Sequence, residues 1–176
     1  MAFPGGNIVR VTPTLSDGVA YGAGDVLFTT TEIPNAVSNR GGVSRLVGIT
    51  ILNEDDVAND MNLVFMQVQK DLGDINDAVG SGDQALWTNA LAKAAKVIGH
   101  IRVDWSDSSV DLVNNLVWTS FKSGSSGGDA DGGVHLPMLL QAEGGSTSVY
   151  FAGVSIGTPT TATDDYEFIF HIEYLD

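Results

Sequence analysis

No cysteine occurs in the 176 residues of the chain. Its absence excludes disulfides, thiolate nucleophiles and cysteine-ligated zinc. A chain of this length can bury a core without such cross-links. Basic residues are scarce as well. Eight lysines and arginines stand against 22 aspartates and glutamates, for a formal net charge of −14. Such a surface repels phosphate and anionic lipid, so neither nucleic acid nor a membrane is an expected partner. Solubility is the plain reason for the acidity; a bound cation or a basic partner is the functional alternative. No segment approaches the roughly 18 apolar residues of a membrane span. The opening Met-Ala-Phe-Pro-Gly-Gly has neither a basic region nor an apolar run, so no signal peptide is expected.

Signatures of catalysis are missing too. His100, His135 and His171 show no His-x-x-x-His or Glu-x-x-His spacing. His100 and His171 fall in strand-like segments beside apolar residues, which points to structural roles. No Gly-x-Ser-x-Gly turn sits at a strand–helix junction, and Ser123–Gly128 has the composition of a linker. Phosphate loops and dinucleotide fingerprints are also absent. Carboxylates are so frequent that no glycosidase pair can be picked out by spacing. The expectation is a protein that is not an enzyme, with no catalytic residue, cofactor or metal site.

Two features stand against that expectation. Glu54, Asp55, Asp56 and Asp60 crowd one connection, and Asp164 and Asp165 crowd another. Hard oxygen ligands in loops suit calcium, but the Asp-x-Asp-x-Asp-Gly pattern of an EF-hand is absent, and a solvated connection accounts for both groups. Trp87, Trp105 and Trp118 could form a carbohydrate platform, yet aromatic residues more often belong to cores or subunit contacts.

What is present is short apolar runs rich in β-branched and aromatic residues, separated by Gly, Ser, Asn and Asp. Strands are predicted at Asn7–Thr12, Val26–Thr30, Gly42–Leu52, Met61–Gln69, Val117–Phe121, Leu136–Ala142, Thr147–Ile156 and Tyr166–Leu175. Ile101, Val103 and Trp105 alternate with His100, Arg102 and Asp104 in a further extended run. In the first long strand Val43, Val47, Ile49 and Ile51 are placed on one face, and the acidic stretch Asn53–Asp60 is read as its hairpin connection to the second. Ser81 and Gln84 stand at capping-box spacing, and the residues after them favour a helix over Gln84–Val97, stopped by Gly99. Its apolar face would hold Leu86, Ala90 and Val97, flanked by Trp87, Leu91 and Ala94. Asp107–Asn115 reads as a turn or short helix, and Lys122–Gly133 as an exposed Gly/Ser/Asp loop. The fold class that follows is all-β: an antiparallel β-sandwich, jelly-roll-like, with one inserted α-helix. Residues 1–6 are expected to form an arm and residues 7–176 a single domain. Met61–Gln69 and Thr147–Ile156 carry apolar residues on both faces, more than a lone sandwich requires, which suggests covering partners.

Two stretches resemble a known family. Val11-Thr12-Pro13-Thr14-Leu15, followed by Ala20-Tyr21-Gly22-Ala23-Gly24-Asp25-Val26, is similar to the "TPTL…AYxxGD" opening of small structural proteins of tailed-bacteriophage virions. Gly41-Gly42-Val43, the run Leu46–Leu52, Asp60–Phe65, Ile98–Ile101 and Gly157-Thr158-Pro159-Thr160 continue the resemblance across most of the chain. The family resembled is of the head decoration or cement type. That resemblance implies a capsid decoration protein that binds the assembled head at the virion surface and reinforces it. The implied partners are the major capsid protein and further copies of the chain, expected as a homotrimer because trimers suit local threefold axes. The resemblance offers no catalytic residue. The competing expectation is a carbohydrate- or receptor-binding β-sandwich module of a phage tail or fibre.

Overall fold

In a computed structural model, residues 5–16, 19–54, 57–80, 89–106, 109–112, 115–121, 136–161 and 166–175 are described. The elements run β1 (Gly6–Val11), β2 (Val19–Ala20), β3 (Val26–Ile33), β4 (Val43–Asn53), β5 (Met61–Met66), α1 (Asn89–Ala95), β6 (Val97–Val103), β7 (Ser109–Asp111), β8 (Leu116–Ser120), β9 (Met138–Gln141), β10 (Val149–Ser155), β11 (Thr160–Thr161) and β12 (Tyr166–Tyr174). A six-stranded sheet follows the order β1-β12-β4-β8-β7, with β9 also paired to β4, and a four-stranded sheet follows β3-β10-β5-β6. The strand pairs of both sheets are antiparallel.

The pairing is nested. Take the principal strands in chain order as β1, β3, β4, β5, β6, β8, β10 and β12. The first pairs with the last, the second with the seventh, the third with the sixth and the fourth with the fifth. That is the strand path of a jelly roll, two Greek keys wrapped into facing sheets. Alternation in β12 shows why the sheets close. Tyr166, Phe168, Phe170 and Ile172 point inward and are buried, while Glu167, Ile169, His171 and Glu173 point away. Phe28, Phe65 and Phe151 meet them from the four-stranded sheet, and Phe151 packs within 4.9–6.3 Å, centroid to centroid, of Phe28, Phe65, Phe168 and Phe170.

The structure corrects several expectations. Asn53–Asp60 is not a hairpin connection, because β4 lies in the six-stranded sheet and β5 in the four-stranded one. The segment carries the chain from one layer to the other. In β4 the register slips near Val47: His171 faces Gly48, whereas the next residue, Ile172, faces Leu46. This bulge shifts the side-chain phase by one residue. Ser44 and Leu46 therefore point inward before it, Ile49 and Ile51 after it, and Val43 and Val47 are only half-buried. Asp107–Asn115 is neither a turn alone nor a helix. Its described residues include β7, which pairs with β8.

Helix α1 stops at Ala95 rather than Val97. Lys96 adopts a left-handed backbone (φ 52°), and Val97 and Ile98 start β6 instead. Their β-branched side chains favour the pleated pairing with β5. The helix end is tied to the end of β5, where the Val68 and Gln67 amides donate to the carbonyls of Ala95 and Lys96. Gly99 is a strand residue and not the helix stop. Ala90 and Ala94 are exposed and Ala95 is the buried position, so the packed face is turned from the one expected. Residues 81–88, with the proposed cap, Leu86 and Trp87, lie outside the described residues, as does the Lys122–Gly133 loop.

The apolar outer side of the four-stranded sheet is covered by the chain itself. Val26, Met66 and Ala152 pack with Leu72 and Ala95 of the β5–β6 connection, with Val64, Val79 and Val154 beside them. The two-faced apolarity of Met61–Met66 and Val149–Ser155 thus needs no partner.

Candidate interaction face

The residues weighed as chemical sites do not converge. His100 is exposed on β6, and His171 lies on β12, in the other sheet. His135, Trp87, Asp55, Asp56, Asp164, Asp165 and Ser123–Gly128 lie outside the described residues. Glu54 is exposed at the end of β4, whereas Asp60 accepts the Trp105 amide at 3.0 Å. Among the described residues no three histidines or carboxylates gather as a metal cluster. Trp105 and Trp118 are buried; their indole N–H groups donate to Asn59 O at 2.7 Å and Asp104 O at 3.0 Å. Both serve the core, so neither can stack on a sugar. A cleft of about 420 Å³ lies beside them, lined by Val57–Asp60 and Ile156–Pro159. Of its polar side chains, Asp60 accepts the Trp105 amide and Asn59 Oδ1 accepts a bond from Ser155 Oγ at 3.4 Å, while the buried Asn59 Nδ2 has no hydrogen-bond partner among the described residues.

The feature that stands out is the outer face of the six-stranded sheet, which sequence reading did not single out. Cross-strand pairing places its outward residues in rows. Glu173, Arg45 and Leu139 form one row, and Arg10, Ile169, Thr50 and Thr119 form another. Between them lie Ile8 and His171. On the far side come Glu167, Leu52, Val117 and Val110. Large apolar side chains are left open here: Ile8 is 61% exposed, Val110 58%, Phe121 55% and Leu139 55%. Leu112, just after β7, is also exposed. Ile169, Leu52 and Val117 are half-buried between them.

Phe121 holds its place through a glycine. A Cβ on Gly48 would come within 2.2 Å of the Phe121 ring, so the ring occupies space that a glycine at this position leaves open. The ring also sits 4.7 Å from His171, whose Nε2 is 3.3 Å from Thr50 Oγ1. The charges of this face are paired. Arg10 Nη1 donates to Glu167 Oε2 at 2.7 Å, and Arg45 lies 3.6 Å from Glu173. Two arginines and two glutamates leave these rows neutral on a chain of −14. Exposed pairs of this kind add only about 0–1 kcal/mol each to stability, so their main effect is on which surfaces can approach.

Burial, and then the positive charge of Arg10, hold the His171 pKa below its ordinary value of 6.5. Ile8 and Arg10 on β1, Thr50 on β4, Glu173 on its own strand and the Phe121 ring surround it. A histidine with a lowered folded pKa leaves stability intact above the unfolded value. Stability then falls as pH drops below 6.5 toward the folded value, because the unfolded chain binds the proton more readily. The expected result is a urea midpoint that drops more between pH 7.5 and pH 5.5 in the wild type than in His171→Gln. Equal drops in the two proteins would show that His171 is not the group responsible. The difference should be small, since the side chain is only partly buried.

Compared with protein-family models and with curated proteins, the chain matches none.

Proposed function

We propose that the protein is a non-catalytic structural component of a tailed-phage virion, a decoration protein that binds the assembled head and reinforces it. Its partners in this reading are the major capsid protein and other copies of itself, assembled as a homotrimer at the capsid surface. The observation that carries the reading is the open apolar face of the six-stranded sheet on an otherwise strongly acidic jelly roll. A sheet face that leaves Ile8, Val110, Phe121 and Leu139 open between neutralised charge pairs has the character of an interaction surface. The resemblance of Val11–Leu15 and Ala20–Val26 to virion proteins supplies the setting. A carbohydrate-binding role loses two of its three candidate tryptophans to the core.

Cosedimentation tests the reading. Purified protein mixed with heads that lack it should pellet with them and saturate at a fixed number of copies per head. The decorated heads should also resist heating better than bare ones. Protein that stays in the supernatant at every ratio, or that binds a glycan array instead, would move the function to the receptor-binding class.

A further inference from the structure

Given the assembly role proposed above, we infer that the outer face of the six-stranded sheet is the contact between copies of this chain, and that the capsid is met by another surface.

Charge selects the occupant. A body of −14 that binds a basic partner gains most by presenting its carboxylates to that partner. Here the rows built on Ile8, Arg10, Arg45, Leu52, Val117 and Leu139 present no net charge, because both arginines are paired with glutamates on β12. A face cleared of excess negative charge is what two equally acidic bodies need in order to approach. The Arg–Glu pairs are self-complementary as well, since an arginine of one copy can share a glutamate of the next without leaving a buried charge unpaired.

Size sets the strength of such a contact. Five strands abreast at about 4.8 Å, each roughly 20 Å long, give a patch of about 500 Å², below the roughly 800 Å² per partner of a standard interface. Association through such a patch should be reversible and dependent on concentration. Copies around a threefold axis would each give part of the face to either neighbour, whereas a twofold axis would stack the face on itself. Both arrangements bury Phe121, Val110 and Leu139.

Sedimentation velocity with light scattering, on the full chain without capsids, tests this over a wide concentration range. The wild type should form a dimer or trimer as concentration rises. Phe121→Glu and Leu139→Glu should each shift that transition to at least tenfold higher concentration. Both side chains are more than half exposed, so the variants should keep the wild-type circular dichroism and melting temperature. Should one variant fail to fold, Val110→Glu serves in its place. A wild type that stays monomeric throughout, or folded variants that associate as it does, would overturn the inference. Head binding by the same proteins is read separately. A wild type that associates through this face but never binds heads would sink the virion role and leave the self-contact standing.

Discussion

Phe151→Ala is expected to lower stability by about 3–5 kcal/mol, the usual cost of deleting a fully buried phenylalanine. The ring lies at the centre of the sandwich. It meets Phe28 at 5.2 Å and Phe168 at 5.1 Å edge-on, Phe170 at 4.9 Å, and Phe65 at 6.3 Å stacked. Phe168 and Phe170 belong to β12 in one sheet, and the other rings to β3, β5 and β10 in the opposite sheet. Removing the ring therefore empties the space where the two layers interlock, and none of its neighbours can fill the cavity without leaving another. For a chain of this length the melting temperature should fall by roughly 6–20 °C. A loss of under about 1 kcal/mol would mean that the layers are not held together around this residue.

Gly153→Ala is expected to destabilise for the opposite reason, too little room. An added Cβ would lie 2.3, 2.7 and 3.0 Å from three atoms of the Phe28 ring. That ring is fully buried and held by Phe151 and by Phe168 at 5.4 Å, so it has nowhere to move. Gly153 also stands where β10 slips register against β3, between its pairing with Phe28 and that of Val154 with Val26. Overpacking at such a point costs about 1–3 kcal/mol, and a valine should cost more than an alanine. The cause can be isolated by combining Gly153→Ala with Phe28→Leu. The smaller side chain makes room, so the pair should be less unstable than the sum of the two single changes. Strict additivity would show that the alanine acts through the backbone and not through the ring.

Much of the sandwich is legible in the sequence because its signals are local. β12 alternates over nine residues, and its partners β1 and β4 read as strands within one or two residues of their ends. Departures occur where tertiary pairing overrides local pattern. The bulge at Val47 reverses the phase of β4, and its one local sign is Gly48, a glycine inside a strand. Val97 and Ile98 join a helix-favouring run but are claimed by β5 across the sheet. The acidic Asn53–Asp60 stretch has a hairpin's composition yet links two layers, because a connection's composition does not tell which sheet the next strand will join.

The proposed interaction face was hidden for a related reason. Its apolar residues come singly from six strands: Ile8, Ile169, Leu52, Val117, Val110 and Leu139. None forms a run, and each reads locally as an ordinary outward position. Only the strand order brings them side by side. The one available signal was phase, since Ile169 and Leu52 are apolar residues on the outward side of strands whose inward side is already filled. By contrast, the surplus apolarity that stood out in Met61–Gln69 and Thr147–Ile156 is absorbed by Leu72, Val79 and Ala95 of the same chain. Trp105 and Trp118 fall on the core side of the core-or-subunit-contact reading that their residue type favours, and the structure adds the backbone carbonyls to which their indole N–H groups donate.

A cryo-electron microscopy reconstruction of the virion to which the protein is proposed to belong tests the central claim most directly. The account predicts jelly-roll density of this size on the outside of the head, repeated over the lattice, with the six-stranded faces of neighbouring copies turned toward one another and Phe121 between them. Density for this chain only in the tail or a fibre, with that face open to solvent, would contradict it.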